Sequence, residues 1–340
     1  MNKLETAIDA ADQLSNDDTS DTHLANETGR RLYDNLSHVV LGSPWALGVA
    51  TMSVLSGLNL LIEDVPGVGK TMLAKALATS LQTNFSRIQG HPDLLPSDIT
   101  GTSIWSDTTK SWEFRPGPVF SHVLLVDELN RTPPRSQSAL LETMEEGQVT
   151  ADGKSWPLPD PQIVIATQNP VNQLGTYPLV ASQLDRFGMA INIGYPDEVT
   201  EESLVLRRGS QDRLETLTPV MDTSVWKEVQ KSVSSVKVTS KVAHFAVELC
   251  RKTRNWPQIT LGASPRASIT LVQAARAHAV LSNRNFVTPD DIKALAVPCL
   301  AHRIITDGSM PNTSGIRGSN SSYAHHIIQD VINSTQVPKP

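Results

Sequence analysis

Residues 58–77 read LNLLIEDVPGVGKTMLAKAL. The run 58–63 is short and apolar, as in a parallel strand buried on both faces. Residues 64–71, DVPGVGKT, are punctuated by Pro66, Gly67 and Gly69 and read as a loop. Residues 72–81 are good helix formers, with Leu73, Ala76, Leu77 and Leu81 on one face.

Strand, glycine loop ending in Gly-Lys-Thr, then helix is the context a Walker A phosphate loop demands. A triphosphate needs several backbone N–H groups converging on its oxygens, and glycine lets the chain curl close enough. The following helix adds its positive N-terminal end. Asp64, Val65, Pro66, Gly67, Val68, Gly69, Lys70, Thr71 and Met72 are therefore the candidate nucleotide-binding residues. Lys70 would reach the β- and γ-phosphates of ATP, and the Thr71 hydroxyl would ligate Mg²⁺. One position departs from the pattern: Asp64 stands where glycine is expected. Aspartate is among the few residues besides glycine that tolerate positive φ, so the turn can survive.

Further strands follow at 84–89, 122–126, 162–167 and 189–193. Strands alternating with helices predict an α/β fold: a five-stranded, mostly parallel sheet with helices on both faces. Ligands of such sheets bind at the carboxyl ends of the strands. Asp64, Asp127 and Asn169 each sit just past such an end, so they can converge on one nucleotide. Residues 91–118 are irregular and too long for a simple connection. Residues 148–158 alternate in polarity and contain Asp152-Gly153, a strong hairpin signal.

From about residue 196 only helices are indicated, at 224–236, 241–253, 265–282 and 289–302. Ser264-Pro265 and Thr288-Pro289-Asp290-Asp291 mark two starts, each a capping residue followed by proline. The expected organisation is an acidic disordered or weakly helical extension over 1–28 and a nucleotide-binding domain over 29–200. A helical lid over 201–310 and a C-terminal tail over 311–340, with a candidate final helix at 323–332, complete it.

The chain of 340 residues is 39% apolar and 19% charged, ordinary for a protein with a real core. Residues 1–28 hold seven acids and one base, which accounts for the whole net charge of −6. The balanced remainder offers no basic field for nucleic acid. Two cysteines, Cys250 and Cys299, lie in apolar helical contexts and read as buried small hydrophobes. No signal peptide and no transmembrane segment are evident, so a cytoplasmic location is expected.

The blocks LLIEDVPGVGKTMLAKALA, HPDLLPSDITG, FRPGPVF, LLVDELNRTPPRSQSALLETMEEGQVT, IVIATQNPVNQLGTYPL, QLDRF and LGASPRA occur in this order over about residues 36–305. In this the chain resembles the MoxR family of AAA+ ATPases. The resemblance implies an AAA+ P-loop core with a small all-helical lid. It implies that Asp127 is the Walker B aspartate on Mg²⁺ and Glu128 the base for the attacking water. Asn169 then resembles the sensor 1 amide. Arg186 resembles an arginine finger reaching a neighbouring subunit, with a salt bridge to Asp185 or a nearby acid as the alternative. Arg131 is another finger candidate, and Arg266 resembles sensor 2. Residues 91–118 and 147–160 resemble inserts facing the ring pore or a client, and carry Trp105, Trp112 and Trp156, which can equally pack locally.

The partners the resemblance implies are copies of the same chain in a ring, by the family pattern a hexamer, a von Willebrand factor A domain protein, and a client complex to be remodelled. Two other classes fit parts of the pattern. One is a chelatase-type subunit or nucleic-acid motor; the other is a nucleotide-gated binding module that barely turns over.

Overall fold

The computed structural model describes residues 19–41, 43–65, 67–151, 153–169, 176–196, 198–199, 201–202, 211–307 and 320–338. Two helices come first: α1 (Thr19–Val39) and α2 (Pro44–Ser56). Of the extension over 1–28, expected to be disordered or weakly helical, the described part from Thr19 onward is helical; residues 1–18 lie outside the described residues. Ala25, Leu32, Leu36 and Val39 are buried at helical spacing, a pattern the surrounding Asn, Asp and Thr residues obscure.

Among the described residues the chain forms two compact units. One holds residues 31–51 and 59–227; the other holds α1 up to Arg30, residues 52–58 and the chain from 228 on. The first unit runs on past residue 200 to Lys227. The Asn35 amide donates to the Thr218 carbonyl at 2.9 Å, and the Val220 N–H to the Ser80 carbonyl at 2.7 Å, which ties this stretch to the first unit.

The first unit contains, in chain order, β1 (Leu60–Glu63), α3 (Lys70–Ser80), β2 (Phe85–Gln89), α4 (Pro96–Thr100), β3 (Gly101–Ser106) and β4 (Ser111–Pro116). Then come β5 (Val123–Asp127), α5 (Pro134–Glu146), β6 (Gln148–Ala151), β7 (Lys154–Pro157), β8 (Ile163–Gln168), α6 (Ala181–Leu184) and β9 (Met189–Ile191). Five strands form one parallel sheet in the order β2-β5-β8-β1-β9. Its central strands are buried almost throughout, which is why they read as unbroken apolar runs.

The irregular segment 91–118 folds as α4 followed by the β3–β4 hairpin, paired from Gly101↔Pro116 to Ser106↔Ser111. The second hairpin, β6–β7, forms as expected, although Asp152 of its turn lies outside the described residues. The three tryptophans divide. Trp156 stacks on Phe114 with ring centroids 4.7 Å apart, so it packs locally. Trp105 and Trp112 meet edge to face across β3–β4 and remain 48% and 69% exposed.

The second unit is built on α7 (Ser240–Thr253), α8 (Pro265–Leu281), α9 (Pro289–Leu300) and α10 (Asn320–Ser334). The hydroxyls of Thr239, Ser264 and Thr288 cap the first three by accepting from the N–H groups of Val242, Ala267 and Asp291. One departure from the expected all-helical lid is seen. A small antiparallel ribbon, β10 (Ile259–Leu261) with β11 (Ile305–Thr306), joins the helices. The candidate final helix at 323–332 is present within α10, whose Ile327, Ile328 and Val331 are buried.

Candidate active site

Strand β8 lies between β1 and β5 in the sheet. Neighbouring strands are about 4.8 Å apart, so the loops leaving all three issue within about 10 Å of one another. They enclose a cavity of about 190 Å³ lined by Gly67, Gly69, Lys70, Thr71, Met72, Asp127, Glu128 and Asn169. These candidates, drawn from three stretches of sequence, are brought together. Asp64, Val65 and Val68 do not line the cavity, and Pro66 lies outside the described residues. Arg186 is elsewhere in the unit, with Nη2 3.0 Å from Glu145 Oε2, an ion pair within the chain. Arg266 belongs to the other unit, exposed in the first turn of α8.

The phosphate loop turns on Gly67 and Gly69, with φ of +91° and +92°. Glycine adopts that region without the steric cost of a Cβ. Gly69 is the N-cap of α3 and supplies no side-chain cap, so the first-turn N–H groups are left for an anion. This turn also starts the helix at Lys70, two residues before the sequence suggests. Asp64 is not among the residues with positive φ, so its tolerance of that region is not used.

Lys70 Nζ donates to the Asp64 carbonyl at 2.6 Å. Burial of the ammonium pulls its pKa down, against the opposing pull of the Asp64, Asp127 and Glu128 carboxylates. The lysine is thus aimed along the cavity wall, partly stripped of water.

Asp127 ends β5. Its Oδ1 accepts from the Thr167 hydroxyl at 2.7 Å, and its Oδ2 lies 2.7 Å from Arg87 Nη2. Thr167 Oγ1 also accepts from the Glu128 N–H at 2.9 Å, so one hydroxyl fixes both acids of the pair. Glu128 has φ +54° and ψ 49°, a left-handed conformation uncommon for a residue with a long side chain. Its Oε2 accepts from Arg131 at 2.9 Å and from Gln89 Nε2 at 3.3 Å. Asn169 is joined to the same region through its carbonyl, which accepts from Asn130 Nδ2 at 3.2 Å.

Thr167, Arg87, Gln89 and Gly90 are missed by the sequence reading. Residues 87 and 89 share one face of β2 because side chains alternate along a strand. Register then pairs Gln89 with Asp127, but register across 38 residues is not written in either strand alone. Gly90 admits the pair at close range: an added Cβ would lie 2.2 Å from the Glu128 carbonyl oxygen.

The donor set suits a magnesium-bound triphosphate. The Thr71 hydroxyl and the Asp127 carboxylate line the same cavity, and Mg²⁺ takes few protein oxygens beside phosphate and water.

Comparison with known proteins agrees with this geometry. Residues 59–189 match the "ATPase family associated with various cellular activities (AAA)", and residues 251–322 match the "AAA lid domain". The chain is 42% identical over 305 residues to "Uncharacterized protein YeaC" of Bacillus subtilis (strain 168), covering 90% of this chain and 93% of that one. It is 34% identical over 292 residues to "Chaperone MoxR1" of Mycobacterium tuberculosis, covering 82% and 76%. A crystal structure of a candidate ATPase from Cytophaga hutchinsonii superimposes with a TM-score of 0.83 at 34% identity, covering 94% of this chain and 98% of that one. With its parallel sheet, phosphate loop and lid, the chain belongs to the MoxR family of AAA+ ATPases.

Proposed function

We propose that this protein hydrolyses ATP with Mg²⁺ as part of an oligomeric ring and uses the cycle to remodel a client protein complex. The observation that carries the reading is the shared cavity of Lys70, Thr71, Asp127, Glu128 and Asn169. Phosphoryl transfer asks a protein mainly for positioning and charge stabilisation, and these residue types supply both.

In this reading the uncapped start of α3 and the loop N–H groups cradle the phosphates. Lys70 leaves the Asp64 carbonyl and places its charge on the β- and γ-phosphates. The Glu128 carboxylate orients the attacking water and accepts its proton. Asn169 holds that water against the γ-phosphate through its amide. Thr71 and Asp127 are the residues that would hold Mg²⁺, which would supply positive charge against the charge that develops on the phosphates. Arg186 acts in a neighbouring protomer and must first exchange its Glu145 partner; Arg266 reports the γ-phosphate to the helical unit. The chaperone role is supported by the name of the relative MoxR1. A hexamer, a von Willebrand factor A domain partner and a cytoplasmic location complete the proposal.

The test is phosphate release by the full chain. Release that requires ATP, stops with EDTA and rises with protein concentration as sedimentation shows assembly supports the proposal. Turnover at background in the assembled state contradicts it and favours a nucleotide-gated binding module.

A further inference from the structure

Asp64 occupies the position where the phosphate-loop pattern has glycine, yet its side chain is absent from the cavity lining and only 7% of the residue is exposed. All its polar groups are engaged, each with a different part of the unit. Oδ1 accepts from the Val65 N–H at 2.8 Å, inside the loop. Oδ2 accepts from the Gly194 N–H at 2.7 Å, just beyond β9. The carbonyl accepts from Lys70 Nζ at 2.6 Å, and the N–H donates to the Gln168 carbonyl at 3.2 Å, next to Asn169.

We propose that Asp64 is a positioning residue that couples the phosphate loop to the segment 192–196 leaving the sheet. It acts through Val65, Lys70 and Gly194 rather than on the nucleotide. A carboxylate this buried is costly unless hydrogen-bonded, and the two N–H groups meet that need. A glycine at 64 keeps the backbone bonds and loses both side-chain bonds. The receiving segment is held on its other side as well, because the Ser43 N–H donates to the Ile193 carbonyl at 3.2 Å. Gly194 itself has φ +76°, so the bond to Asp64 fixes a turn that only glycine adopts freely.

The coupling rests on the ATPase reading in one respect: phosphate must compete with the Asp64 carbonyl for Lys70. When Lys70 moves to phosphate, the Asp64 backbone loses its strongest cationic partner. Its carboxylate carries the resulting shift to Gly194.

The experiment is hydrogen exchange of the peptide spanning 189–196 in the full chain, with and without a non-hydrolysable ATP analogue. Binding of the analogue is measured in parallel. In the unmodified chain the Gly194 amide is expected to be protected, and its exchange to change at least severalfold when the analogue binds. Asp64→Gly is expected to bind the analogue, to exchange this amide several times faster without it, and to show no further change with it. Asp64→Asn keeps a single acceptor oxygen and is expected to fall between the two; it also serves if the glycine variant does not fold. A purely structural role lowers the melting temperature but leaves the analogue-dependent change in place, and that result overturns the inference. Binding to the unmodified chain without any change at Gly194 overturns this inference alone. No binding at all overturns the ATPase reading with it.

Discussion

Arg131 Nη1 lies 2.9 Å from Glu128 Oε2 in the same chain, three residues further on. Arg131 is thereby paired with the proposed base in its own protomer, whereas Arg186 is paired with Glu145 away from the cavity. A residue that acts through Glu128 has nothing left to do once Glu128 is disabled. The double variant Arg131→Ala/Glu128→Gln is therefore expected to be no slower than Glu128→Gln alone. Mixed with Glu128→Gln subunits, Arg186→Ala subunits are expected to regain activity if that arginine acts in trans, and Arg131→Ala subunits to regain none. Recovery with Arg131→Ala would move the finger to position 131.

Gly90 should be intolerant of any side chain. Its N–H donates to the Asp127 carbonyl at 2.7 Å, and a Cβ at this position would meet the backbone of Glu128. Relief requires the Asp127–Glu128 turn to move, and overpacking against backbone costs about 1–3 kcal/mol. Gly90→Ala is expected to lose at least tenfold in turnover while still binding nucleotide. Unchanged turnover would show that the turn shifts freely and that its placement is not critical.

The sheet was legible in the sequence because each strand is a short apolar run, and Asp64, Asp127 and Asn169 each stand at or just past the end of one. Asp64, Asp127 and Asn169 could be placed at strand tips without knowing strand order; the order then put those tips side by side, with Asp127 and Asn169 lining the cavity and Asp64 outside its lining. What stayed hidden depends on register or on partners far along the chain. Arg87 and Thr167 each meet Asp127 from 40 residues away. Asp64 reaches Gly194 across 130 residues. The helix from Thr19 was masked by polar composition, since its buried stripe is carried by few large residues. Arg186 shows the limit of motif reading: its match to a finger pattern does not reveal Glu145 as its partner.

The helical unit depends on Asp291, whose side chain is 1% exposed. Arg284 donates to both carboxylate oxygens at 2.6 and 2.8 Å, and His278 and Thr288 add further bonds. Burial pushes the Asp291 pKa up, but the bonds from Arg284, His278 and Thr288 outweigh it and hold the carboxyl well below the usual range. A depressed pKa means stability that is present above the unfolded value of about 4 and is lost as pH falls below it. Asp291→Ala is expected to cost about 3 kcal/mol, the lower end for breaking a buried pair, because Arg284 keeps 27% of its side chain in water. In thermal melts the gap between the parent and Asp291→Asn should narrow below pH of about 4. A gap independent of pH would remove the carboxylate charge from the explanation.

Both cysteines are buried, and burial pushes the Cys299 thiol up to about 12 and raises that of Cys250. Thiolate is the reactive form, so neither should be modified in the native chain by a disulfide reagent at pH 8, while both should react in guanidinium. Rapid labelling of one thiol under native conditions would show that the helical unit opens at that site.

Equilibrium binding of a fluorescent ATP analogue, measured beside turnover for Lys70→Ala and Glu128→Gln, tests most directly whether one cavity both holds and cleaves the nucleotide. Lys70→Ala should lose most of its affinity. Glu128→Gln should bind as the parent does and lose about 10²–10⁴-fold in rate, since only the base is gone. Equal affinity in Lys70→Ala, or full turnover in Glu128→Gln, would contradict the account.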